Sequence, residues 1–155
     1  MSDYESVKQQ TGEAIALTAL RVTVGVIFAV HGAMKLLDIP GTIQGFTHLG
    51  IPYPQYAVYL AIAGELFGGL GIVFGLLTRV AALGAFCSMA VAIGYAHLGH
   101  GLLANKGGWE YPLVLGMVAL YFVTTGAGPF SMDAAYHRRR NALPHSRHHR
   151  VRSYA

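Results

Sequence analysis

One carboxylate, Glu65, stands near the middle of a 22-residue apolar stretch, Tyr56–Leu77. An α-helix of that length rises roughly 33 Å, enough to cross the hydrocarbon core of a bilayer. A charge at that depth costs on the order of 2.5–3.5 kcal/mol on the insertion scale, so the side chain needs a partner or a task. Other ionisable groups interrupt the neighbouring apolar runs: Arg21, His31 and Lys35 in residues 14–37, His97 and His100 in residues 80–102, and Glu110 beside Trp109. Glu65, His31 and His97 are the candidate catalytic groups, since carboxyl and imidazole side chains take up and release protons in coupled redox steps. Arg21, Lys35, His100 and Glu110 are candidate contacts to a bound cofactor. Each also has a plain structural reading. Lys35 and Arg21 can extend along the helix to water, and His100 and Glu110 can be solvated helix ends. The expected partner of Glu65 is Arg21. Their Cα atoms should differ in depth by roughly 9 Å, a gap closed by extended side chains or one water.

Four spans must position these groups: residues 14–37, Tyr56–Leu77, Val80–Leu102 and Trp109–Gly126. The predicted fold class is therefore all-α, an integral membrane four-helix bundle. Arg21, Gly25, Phe28, Gly32 and Lys35 recur at steps of four and three, one face of the first span, and its glycines predict packing against another helix. Gly64, Gly68, Gly71 and Gly75 supply two small-xxx-small spacings in the second span. Thr78-Arg79 leaves room only for a tight turn, so spans two and three form an antiparallel hairpin. Between spans one and two, Pro40, Gly41, Gly45, Gly50, Pro52 and Pro54 punctuate a loop. Its centre, Thr42–Leu49, is expected to form a short interfacial helix with Ile43, Phe46 and Leu49 toward lipid. Depth then gathers His31, Lys35, His97, His100 and Glu110 in one leaflet with Glu65 just beyond the midplane. That is the outline of a pocket for a small amphipathic molecule such as a quinone.

Only 12% of residues are charged and 54% are hydrophobic, which selects lipid as the solvent. Six arginines against one acid, Asp133, lie in residues 129–155. With four spans this basic end shares a side with the N-terminus, and the positive-inside rule gives both termini in the cytoplasm. Residues 1–13 are expected to be a polar segment with no cleaved signal peptide, 14–133 the membrane domain, and 134–155 a basic, disordered tail. The tail follows a span directly, so anionic lipid is its expected partner and nucleic acid is not. Its histidines, His137, His145, His148 and His149, sit among arginines that oppose a metal cation. Cys87 stands alone, which excludes a disulfide framework and a CxxC motif. Two-histidine ligation of a haem by His31 and His97 is a weaker alternative to quinone.

The motifs together resemble the DoxX family of small four-helix membrane proteins. They are RxxxGxxFxxxGxxK from Arg21 to Lys35, Gly64-Glu65 with Gly68-Gly69, Gly75 and Thr78-Arg79, Gly107-Gly108 with Glu110 and Pro112, and Gly126 through Asp133. The resemblance covers residues 14–133 and leaves out both ends. It implies a multi-pass protein of the bacterial inner membrane, serving as a subunit of a membrane oxidoreductase linked to quinone, sulfur or redox-stress chemistry. It also implies protein partners, soluble or membrane-bound, and is compatible with a homo-oligomer. A non-catalytic anchor or scaffold for soluble partners is the alternative from another class, and a small-solute transporter is a poorer third.

Overall fold

The computed structural model describes residues 3–142, and everything in the described residues is helix, turn or loop. Helix α1, Asp3–Leu37, is 35 residues long. It continues through the polar residues expected to lie apart from the first span, because nothing between Ser6 and Leu37 breaks a helix. Asp38 ends it and starts the next element. Its carboxylate accepts the Gly41 N–H at 2.9 Å, capping α2, Ile39–His48. The short helix thus exists, three residues earlier than the sequence suggests.

Pro54 opens the second span: α3, Pro54–Ile62, a π-helical turn, Ala63–Phe67, and α4, Gly68–Phe74. Gly75 (φ 65°) and Leu77 (φ 47°) reverse the chain into α5, Thr78–Ala92. The third span then passes through its own π turn, Ile93–His97, and a 3-10 turn, Leu98–His100. Helix α6 covers Glu110–Thr125 and, at 16 residues, is shorter than the three preceding spans. Those three are long and apolar enough to cross a membrane. A final helix, α7, covers Met132–Ala142, so residues 134–142, expected to belong to the disordered tail, are helical. The rest of that tail, with His145, His148, His149 and the last three arginines, lies outside the described residues.

Helix α1 packs on the second span, the second on the third, and α5 on α6, while α6 meets α1 only lightly. All four contribute to one core, built from Val24, Phe28, Ile72, Ala82, Ala85, Met89, Leu115, Ala119 and Phe122. The predicted stripe on α1 is the packing face. A Cβ on Gly25 would come within 2.8 Å of the Gly69 carbonyl oxygen, so no larger residue fits without moving backbone. Gly64 meets the Gly84 carbonyl across the hairpin with a corresponding distance of 2.7 Å. These close approaches fix register, and register decides which charges meet.

Candidate functional site

Gly25 lies opposite Gly69 and Gly32 opposite Leu66, an antiparallel register along α1 and the second span. One turn beyond Gly32, Lys35 reaches Glu65 and its Nζ donates to Glu65 Oε2. One turn before Gly25, Arg21 reaches Gly75 instead. The expected Arg21–Glu65 pair is therefore replaced by Lys35–Glu65. Extended by this register, Leu37 falls about two turns past Pro54, and α2 packs beside the overhanging start of α3. Aligning the ends of the two spans puts Glu65 too close to Arg21.

The Glu65 side chain is 5% exposed and that of Lys35 23%. Glu65 sits inside the first π turn, where an extra residue per turn loosens the helix and re-aims a side chain. The pair forms part of the wall of a groove of about 1130 Å³ along the junction of the second and third spans. Its walls are mostly apolar, with Phe67, Phe74, Val80 and Val91 among them. Phe46 and Leu49, expected toward lipid, line it as well. So do Cys87, Ser88 and Tyr95, to which the sequence reading gave no part, and His97. No spacing signal marks the first three, since they read as ordinary residues of an apolar helix.

His97 lies in the second π turn, and its Nδ1 is 2.7 Å from the Gly107 carbonyl oxygen. A carbonyl only accepts, so Nδ1 carries the hydrogen and the neutral ring keeps its free lone pair on Nε2. The remaining candidates fall elsewhere. His31 Nδ1 is 2.8 Å from the Ile27 carbonyl oxygen on its own helix, and the ring is exposed outside the groove. His31 therefore does not share the groove with His97. His100 is exposed and packs near Gly107. Glu110 Oε1 accepts the Ala104 N–H at 2.6 Å and so holds the loop before α6. Among the described residues no three His, Cys, Asp or Glu side chains are grouped to hold a metal ion.

Arg21 belongs to a second constellation at the other end of α1, about 21 Å of helix from Lys35. The residue is 3% exposed and its Nη2 donates to the Phe130 carbonyl at 2.7 Å. Nε and Nη1 are buried and carry no hydrogen bond within the described chain. Beside it, Asp133 fastens α7 to the hairpin turn. Its Oδ1 accepts the Leu77 N–H at 2.8 Å, and its Oδ2 accepts the Thr78 N–H at 3.0 Å and the Thr78 hydroxyl at 2.9 Å. Its own N–H donates to the Gly75 carbonyl at 2.8 Å. Burial pushes the Asp133 carboxyl up, but the bonds from Thr78 and Leu77 and the nearby His137 outweigh it and hold the group below its usual 3.8. The lone acid among six arginines was a visible signal for this anchor, because a tight turn leaves N–H groups that a carboxylate can accept.

Buried ion pairing, glycine-mediated helix contacts and three spans of membrane-crossing length define a small helical membrane protein. The DoxX profile matches residues 16–98, and the chain belongs to the DoxX family. It is 32% identical over 119 residues to "Putative oxidoreductase CatD" of Bacillus subtilis, covering 77% of this chain and 85% of that one. It is 29% identical over 129 residues to "Inner membrane protein YphA" of Escherichia coli, covering 77% and 89%. An uncharacterized protein of Haemophilus influenzae is 31% identical over 129 residues, covering 79% and 92%. No solved structure matches the chain. Like the Escherichia coli relative, the protein is a multi-pass protein of the bacterial inner membrane.

Proposed function

We propose that this protein is the membrane-embedded component of an oxidoreductase system and that its groove receives a quinone. The observation that carries the proposal is the Lys35–Glu65 pair set in the wall of a long apolar groove. Apolar walls suit an isoprenoid tail, and the charged pair suits a polar ring. Reduction of a quinone to its quinol takes up two electrons and two protons. The electrons come from a redox partner protein. Lys35–Glu65 is one proton source, and His97, after taking a proton from water on Nε2, is the second. A relative named as an oxidoreductase supports the same class of chemistry. In this reading both termini face the cytoplasm, and α2 lies at the outer interface.

The test is organic extraction of the purified protein, followed by titration of the quinone-free form with a short-tailed quinone. Quinone in the extract, and a melting temperature that rises with added quinone, are the expected results. Glu65→Gln, which keeps shape, should abolish the rise. A scaffold that only anchors soluble partners yields no quinone and no shift in either form, and that result would overturn the proposal.

A further inference from the structure

The end of the molecule that carries α7 presents a charge pattern that the groove does not use. Arg138, Arg139 and Arg140 are exposed on α7, and Arg79 is exposed at the start of α5. Asp133, the one acid in α7, spends its carboxylate on Leu77 and Thr78. Met132 and Tyr136, on the same helix ahead of the arginines, are 50% and 63% exposed. A helix carrying exposed apolar and aromatic side chains beside arginines suits the headgroup layer, where one end is greasy and the other wet.

Position adds to composition. The Asp133 bonds tie the first turn of α7 to the hairpin turn, so the helix starts where the spans leave the membrane. Arg140 is seven residues further on, about 10 Å along the helix, which is close to one Debye length at physiological salt. Arg138 Nη1 donates to the Pro129 carbonyl at 3.2 Å, which holds that guanidinium beside the same junction. We propose that α7 and Arg79 form a binding surface for the phosphodiester headgroups of anionic phospholipids. Arginine presents several N–H donors in a fixed plane to phosphate oxygens, and the helix carries three arginines within a single turn.

The full chain in neutral detergent would be titrated with dansyl-labelled phosphatidylglycerol and with phosphatidylcholine of the same chain length. Wild type should prefer phosphatidylglycerol at least tenfold at low salt and lose the preference in 1 M NaCl (about one-third the Debye length). Exchanging Arg138, Arg139 and Arg140 for glutamine should weaken phosphatidylglycerol binding about fivefold for each arginine removed. Exchanging them for lysine should keep most of it. An unchanged preference in the glutamine variant, or a salt-independent one in wild type, overturns the proposal. So does binding of soluble polyglutamate with equal avidity, which would make an acidic protein the partner. Neither arm depends on quinone, so this surface and the groove stand or fall separately.

Discussion

Lys35 and Glu65 enter the membrane as a neutral pair, each removing the other's charge from lipid. Breaking such a pair leaves one charge uncompensated, whereas removing both leaves none. Glu65→Gln and Lys35→Met should therefore each destabilise the protein by up to about 3–5 kcal/mol, with the double variant recovering most of the loss. Thermal unfolding of the four forms in one detergent is the measurement, and additive losses would remove the pair from the account. Arg21→Gln combined with Glu65→Gln should show no such rescue, since these two side chains serve opposite ends of α1. Asp133 makes a prediction about acid. Its folded value lies below its ordinary one, so the stabilisation is full above about pH 4 and is lost as pH falls through the folded value. Asp133→Asn should melt lower than wild type at pH 7, and the difference should shrink toward pH 3. The charge at Glu65 was legible from depth alone, but its partner was not. A lysine stem reaches inward as readily as toward water, and only the register of the helices decides which way it turns.

Register is a property of elements, and here it is written in glycine. Gly25, Gly32 and Gly69 have backbone of the neighbouring helix where a side chain would go, whereas Gly45 in α2 has open space around it. Gly32→Val and Gly69→Val should each cost at least about 1–3 kcal/mol through overpacking, and Gly45→Ala should change little. Urea or thermal unfolding with Gly45→Ala as the control would check this, and equal effects at all three sites would contradict it. The glycine stripe was readable because spacing of four and three marks a helix face. The two π turns were not. Nothing in AGELF or IGYAH differs in propensity from the α-helix around it. A π turn is set by tertiary packing, and it matters here because one holds Glu65 and the other His97.

At the scale of the whole molecule, the four apolar segments and their hairpin were plain from hydropathy and turn residues. The length of α1 and the overhang of α3 depend on how helices slide past one another, which composition does not record. Orientation in the membrane is the remaining large-scale expectation. With Cys87 changed to alanine, single cysteines at Thr47 and Asn141 should respond differently to an impermeant maleimide on intact cells. Thr47→Cys should react and Asn141→Cys should not. The reverse pattern would invert the protein, exposing α7 to the exterior.

The clasp around Arg21 has a consequence for how the chain is made. Arg21 Nη2 bonds a carbonyl 109 residues further along the chain, and the hairpin turn is closed by an acid 55 residues away from Thr78. A ribosome adding about 5–20 residues per second takes some 5–20 s to go from the one end of that bond to the other. By the later part of that interval the first three spans are in the translocon or beside it, with a guanidinium whose carbonyl has yet to be synthesised and a hairpin turn whose N–H groups still lack their acid. Nascent chains stalled with residue 125 just inside the bilayer should cross-link poorly between cysteines placed at Val24 and Ile72, which share the core in the finished fold. Chains stalled after α7 has emerged should cross-link as the finished protein does. The last helix is then the signal that the bundle is complete.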